Sequence, residues 1–189
     1  MKHLAFILII CFGFEGFSQT VTESDRISAF YTKQKAFCNQ FLDKQYPAFT
    51  IKTLDSQTFS RKDFSNKVVF INFWAEFCSP CIAETEGLKQ LYAKLNRYLD
   101  FLFVSFSYDP DSTINRLVKK YGINFKVYHL DRNEFSRLNF NNGIPTSIIL
   151  NKNGIIKFFA IGGIEEKDIA TKYVMTIIYP EALKLIENK

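Results

Sequence analysis

Val68 to Trp74 reads Val-Val-Phe-Ile-Asn-Phe-Trp, seven residues whose apolar character is interrupted only at Asn72. A strand with one wet face alternates polar and apolar residues. This one does not, so both of its faces must be covered. A chain carrying such a strand needs layers above and below it. Phe101 to Phe106 repeats the pattern, and Phe125 to Leu130 is a shorter candidate strand. Between and around them lie helical stretches. One begins at Pro80, with Cys81, Glu84, Leu88, Leu91, Tyr92 and Leu95 on one stripe. A second spans Pro110 to Tyr121 and is closed by Gly122 as a C-terminal cap. Strand–helix alternation with buried strands predicts an α/β sandwich with helices on both faces of the sheet.

The flanks complete the outline. Residues 24–46 place Ile27, Phe30, Tyr31, Phe37, Phe41 and Leu42 at roughly helical spacing, and Pro47 ends that helix. Phe49 to Leu54 and Thr58-Phe59 read as two short strands around Asp55-Ser56-Gln57. Asn151-Lys152-Asn153-Gly154 joins strands at Ile144–Leu150 and Ile155–Ala160 in a hairpin. A last helix runs from Glu166 to Glu187, bent near Pro180. The 21 phenylalanines read as core filling.

Lys2 and His3 precede an 11-residue apolar run, Leu4 to Phe14, which is too short to span a membrane. Gly16-Phe17-Ser18 supplies small residues where a signal peptidase reads, so cleavage is expected after Ser18. Ile10 stands before Cys11 where a lipobox wants a small residue, which argues against lipidation. No later segment approaches a membrane span, so the mature chain is expected to be soluble and exported, in a periplasmic or similar oxidising compartment. The net charge is +5, with no run of Lys and Arg longer than two, so no nucleic-acid partner is expected.

Chemistry concentrates at Trp74-Ala75-Glu76-Phe77-Cys78-Ser79-Pro80-Cys81, where the buried strand passes into a helix. Cys78 falls at the helix N-terminus, where unpaired N–H groups and the helix dipole favour a thiolate, the nucleophile of disulfide exchange. Cys81, in the first turn, is close enough to pair with Cys78 and less exposed. Pro80 is tolerated there because first-turn N–H groups have no partner anyway. Reduced Cys78 is expected to attack a substrate disulfide, and Cys81 to resolve the mixed disulfide. Zinc needs four ligands, and neither a second Cys pair nor a second His beyond His129 exists in the mature chain, so no metal and no cofactor are expected. Glu84 lies one turn beyond Cys81. Burial there would raise its proton affinity and let it exchange a proton with Cys81; an acid complementing the helix dipole is the other reading. Asn72 is read as bonding either near the pair or to local backbone, Glu76 as a solvated face, His129 as structural, and Cys38 as a buried free thiol, with an intermolecular disulfide or a regulatory thiol as its alternatives.

From Phe49 to Gly163 the chain resembles the thioredoxin superfamily, and more narrowly the exported TlpA/ResA-like thiol-disulfide oxidoreductases. The residues that carry this are Phe49-Thr50-Ile51 with Leu54-Asp55 (an extra N-terminal hairpin), Asn72 where cytosolic thioredoxins have a buried Asp, Cys78-Ser79-Pro80-Cys81 followed by Glu84, and Gly143-Ile144-Pro145-Thr146. The resemblance implies a thioredoxin-like fold: a central mixed β-sheet flanked by helices, with an extra N-terminal helix and hairpin. Together with the residue pattern of the N-terminus, this divides the chain into an expected signal peptide over 1–18, a helical extension over 19–47 and a thioredoxin-like domain over 48–189. The resemblance also places the proline loop. It implies a cis Pro145 in a loop facing the Cys pair, with Ile144 pairing to a substrate strand and Pro145 keeping out metals and other nucleophiles. Cys78 and Cys81 form the redox-active disulfide, with Glu84 completing the catalytic set. Trp74, Phe77, Ser79, Pro80, Ile144 and Pro145 form the substrate-contacting surface, Phe77 standing where the family commonly has Trp. Expected partners are protein disulfides, including the heme-attachment cysteines of apocytochrome c, and a membrane thiol-disulfide reductase that supplies electrons. Other functions compatible with the motif are a disulfide oxidase or isomerase, a peroxidase (disfavoured by Ala75 where peroxiredoxins carry Thr), and a non-catalytic binding module.

Overall fold

A computed structural model describes residues 21–53 and 57–188. The expected signal peptide and the tip of the first hairpin lie outside the described residues. The elements are α1 (Glu23–Cys38), β1 (Thr50–Lys52), β2 (Thr58–Ser60), β3 (Val68–Trp74), α2 (Ser79–Ala83), α3 (Thr85–Leu95), β4 (Phe101–Ser107), α4 (Asp111–Tyr121), β5 (Val127–His129), α5 (Arg132–Leu138), β6 (Thr146–Leu150), β7 (Ile156–Ile161), α6 (Lys167–Tyr173) and α7 (Tyr179–Glu187). Five strands form one sheet in the order β5-β4-β3-β6-β7. β4 runs parallel to β3 and β5, whereas β6 is antiparallel to β3 and β7. The sheet is therefore mixed, as the resemblance implied. β1 and β2 form a separate antiparallel ribbon.

The pleat sorts β3 between two cores. Val68 and Phe70 face α3, α6 and α7, where they meet Leu88, Leu91, Tyr173 and Ile178. Val69, Ile71 and Phe73 face the other way, onto Phe49, Phe59, Phe64, Phe106, Phe135 and Leu138. That second core is largely aromatic: Phe49 sits 5.3 Å from Phe64 and 5.7 Å from both Phe59 and Phe106, ring centre to ring centre. Edge-on and tilted pairs of this kind stabilise beyond the area they bury. The same alternation puts Asn72 and Trp74 on the α2–α3 side, which fixes where the site is built.

Four elements depart from expectation. The first helix stops at Cys38 and passes through a 3-10 turn, Asn39–Phe41, well before Pro47. Tertiary pairing wins there. Asp43 N–H donates to Ile156 O at 2.9 Å, Ile156 N–H to Lys44 O at 2.9 Å, and Tyr46 N–H to Gly154 O at 3.0 Å. The helix beginning at Ser79 is interrupted at Glu84, which caps both α2 and α3. Thr85 Oγ1 donates to Cys81 O at 3.2 Å, a back-bond of the sort that bends helices. Helix α5 was not foreseen, although its signal is plain: Asp131 accepts from the N–H groups of Asn133 and Glu134, both at 2.9 Å. The last helix is continuous through a π-turn, Val174–Ile178, just ahead of Pro180. The wider turn absorbs the hydrogen bond that proline cannot donate.

Candidate active site

β3 delivers the chain to the site. After Trp74 the backbone turns, with Cys78 N–H donating to Ala75 O at 3.2 Å, and α2 begins. Cys78 is the N-cap of α2, and its Sγ accepts from Cys81 N–H at 3.2 Å. Cys78 and Cys81 are joined as a disulfide with a Cα–Cα separation of 5.2 Å. Exposure separates the two sulfurs' residues: Cys78 is 8 % exposed and Cys81 2 %. Cys78 is thus the more accessible of the two.

Beneath Cys81, Glu84 is only 2 % exposed. Asn72 Nδ2 donates to Glu84 Oε1 at 3.1 Å. Burial in the apolar interior penalises the carboxylate and pushes the Glu84 pKa from 4.5 to about 8, the Asn72 hydrogen bond offsetting part of this. Of the two readings of Asn72, the structure selects the bond near the pair. It likewise removes Glu84 from the solvent-facing role of a helix-dipole acid.

Trp74 differs from expectation. It is buried, packed with Cys78, Cys81 and Leu117, and its Nε1 donates to Ser105 Oγ at 2.9 Å. It supports the cysteine pair from below instead of forming the outer surface. The exposed aromatic is Phe77, at 92 %. Ser79 is exposed and Pro80 half-buried beside it. Glu76 is not a freely solvated side chain: it is half-buried and ion-paired with Arg116.

The Ile144–Pro145 peptide bond is cis. A Cβ built on Gly163 would lie 2.9 Å from Pro145 Cγ and 3.0 Å from Pro80 Cβ. Three distant segments, Pro80, Pro145 and Gly163, therefore close on one another around the cysteines. Gly163 was visible in the sequence only as half of a Gly-Gly pair. The loop before Pro145 is built by asparagines. Buried Asn139 donates from Nδ2 to Asn142 O at 2.8 Å and Gly143 O at 3.2 Å, and Thr146 Oγ1 donates to Gly143 O at 2.6 Å. Phe140 and Asn141 are held at positive φ, 54° and 56°, a conformation that costs L-residues energy and persists only where the surroundings impose it. On the other side of α2, Ser79, Ile82, Thr85, Tyr121, Glu165 and Lys167 line a groove of about 400 Å³.

His129 stands apart from the sulfurs, its Nδ1 bonded to Asp109 O at 2.8 Å. Cys38 is a free buried thiol in the aromatic core, and burial raises its pKa.

A mixed sheet, a strand-to-helix Cys-x-x-Cys pair and an adjacent proline loop define a thioredoxin-fold redox protein. A Redoxin family model matches residues 42–173, so the chain belongs to the Redoxin family, within the thioredoxin superfamily, and is a thiol-disulfide oxidoreductase. Its relatives place it nearer. It is 26% identical over 171 residues to the thiol-disulfide oxidoreductase ResA of Bacillus thuringiensis subsp. konkukian, covering 90% of this chain and 92% of that one. It is 27% identical over 139 residues to ResA of Halalkalibacterium halodurans, covering 71% and 75%. Among solved structures, a thiol:disulfide interchange protein of the thioredoxin family from Chlorobium tepidum matches with TM-score 0.56 at 24% identity, over 71% of this chain and 95% of that one. StoA of Bacillus subtilis matches with TM-score 0.53 at 19% identity, over 68% and 96%. These two likenesses are of fold.

Proposed function

We propose that the chain is exported and works as a reductant of protein disulfides, with Cys78 as the nucleophile, Cys81 as the resolving thiol and Glu84 as the proton-exchanging acid. One observation carries the reading: a buried carboxyl with a pKa near 8 lies one turn behind the shielded cysteine. The raised proton affinity of Glu84 brings it toward the range in which thiols exchange protons, which supports a proton-exchange role.

The steps balance as follows. The Cys78 thiolate attacks one sulfur of the substrate disulfide, a mixed disulfide forms, and the first substrate sulfur leaves as a thiolate. Cys81 loses its proton by way of the deprotonated fraction of Glu84, which grows as pH approaches 8, and attacks Cys78 Sγ. The Cys78–Cys81 bond forms, the second substrate thiolate leaves, and the two departing thiolates take up protons. Two electrons pass from the dithiol to the substrate. Phe77, Ser79, Pro80, Ile144 and Pro145 contact the substrate chain, Ile144 by backbone pairing, and Trp74 supports them. A membrane thiol-disulfide reductase resupplies the electrons. Substrates in this reading include the heme-attachment cysteines of apocytochrome c, which would place the protein in cytochrome c maturation. Residues 1–18 act as the signal peptide, 19–47 as a helical extension and 48–189 as the catalytic domain. Among the described residues no helix is long and apolar enough to cross a membrane.

The test is the reduction potential of the purified protein in glutathione or dithiothreitol buffers. A value near ~−270 mV supports a reductant, whereas one near ~−120 mV marks a disulfide donor and overturns the reading.

A further inference from the structure

Asp109 follows β4, is buried, and is not part of the Cys78–Cys81 pair. It reaches the active-site turn instead. Glu76 N–H donates to Asp109 Oδ2 at 2.7 Å, and Ser107 Oγ donates to the same oxygen at 2.9 Å. Asp109 is itself fixed from both sides: its N–H donates to Ser107 Oγ at 3.1 Å, and its carbonyl is met by His129 Nδ1 at 2.8 Å. Arg116, on α4, takes the Glu76 side chain from outside. The turn from Ala75 to Cys78 has one internal hydrogen bond, Cys78 at its end is held by α2 and the disulfide, and among the described residues the Asp109 and Arg116 contacts are what hold Glu76. The turn carries the most exposed aromatic, Phe77, directly before the nucleophile.

We infer that Asp109 is a positioning residue: by holding the Glu76 amide it presets the turn that offers Phe77 and Cys78 to a polypeptide substrate. The bond is short and part-buried, with Asp109 itself inside the protein. Without it the turn must be ordered each time a substrate chain docks on Phe77, and that cost appears in binding. A small disulfide that reaches Cys78 without covering Phe77 does not bear the cost. This rests on Cys78 being the nucleophile, and failure of that premise shows separately, as a parent protein with no disulfide-reducing activity.

The experiment compares parent, Asp109→Ala and Asp109→Asn with insulin and with hydroxyethyl disulfide as substrates, dithiothreitol being the electron donor. Expected for Asp109→Ala is a rise of about tenfold in KM for insulin with kcat within about twofold, and no change toward hydroxyethyl disulfide. Asparagine keeps an oxygen acceptor for the Glu76 amide and should restore most of the loss. In amide hydrogen exchange, Glu76 protection should fall at least about tenfold in Asp109→Ala. An unchanged KM for insulin, or equal losses on both substrates, overturns the inference. Should Asp109→Ala fail to fold, Ser107→Ala decides: it removes the hydroxyl that fixes the carboxylate and should give a smaller rise, about threefold, again confined to insulin. Parent-like kinetics in Ser107→Ala would then refute the role.

Discussion

Glu84→Gln probes the site through stability as well as chemistry. In the folded protein the Glu84 carboxyl holds its proton to about pH 8, whereas in the unfolded chain it ionises near 4.5. Between those values the folded state binds more protons than the unfolded state, so stability falls as pH rises. At pH 7 the chain stands two and a half pH units above the unfolded value of 4.5, which is a cost of about 3 kcal/mol carried by this one group. Below pH 4.5 the cost vanishes, because both states are protonated. Gln removes the titration while keeping an oxygen for Asn72 Nδ2. It adds at most one more N–H than the protonated acid has O–H, a pH-independent difference. Tyr173, which is coupled to Glu84, stays neutral throughout, since burial pushes its hydroxyl well above the usual value. The measurement is urea unfolding of the oxidised parent and variant at pH 4.5, 7 and 8.5. The gap in favour of Gln should widen by about 3 kcal/mol between pH 4.5 and 7. In melting temperature that is roughly 6–12 °C for a chain of this size. A gap that does not change with pH would refute the raised proton affinity and remove Glu84 from the proton-transfer step. In the reduced protein, Glu84→Gln should also alter the pH profile of Cys78 alkylation.

Phe77→Ser should leave the melting temperature within about 2 °C, because the ring is exposed. It should nonetheless raise KM for a protein disulfide in steady-state assays. Gly87→Ala should destabilise by about 1–3 kcal/mol in denaturant titrations. Its new Cβ would lie 2.8 Å from Val174 Cβ and 3.1 Å from Thr171 Cα, and the helix backbone cannot give way. Cys38, buried and shifted upward in pKa, should resist iodoacetamide in the native oxidised protein and react on unfolding. Fast native labelling, read by mass spectrometry, would contradict its burial.

The fold was legible where one local rule dominated. The unbroken apolar runs of β3 and β4 admit few homes, and Gly122 takes the left-handed cap, φ 58°, that its position after Tyr121 suggested. Asp131 escaped notice because a seven-residue helix carries too few turns for periodicity to register, although its capping signal was present. The length of α1 was misjudged because nothing near residues 39–46 announces that Ile155 and Ile156 will compete for their backbone. At the site, Cys78, Cys81 and Glu84 are neighbours in sequence and could be placed from helical spacing. The roles of Asp109, Asn139 and Gly163 could not be read from the sequence, since they come from contacts made by chain segments far apart. Trp74 packs beside the cysteine pair as the motif suggests, but its depth of burial could not be read from the motif alone.

The N-terminal segment has a consequence for solubility. β7 is an outer strand, and an open outer strand invites other chains to add to the sheet. Here both ends of the strand are occupied: Gln34 Oε1 accepts from Ile161 N–H at 2.7 Å, and residues 43–46 bond the Ile156 and Gly154 end. The opposite edge, β5, offers only three residues and is preceded by Lys126. Both outer strands of the sheet thus offer little open edge, β7 because its ends are taken and β5 because it is short. Removing residues up to 46 should turn the β7 edge into a template for self-association, visible as concentration-dependent growth in light scattering.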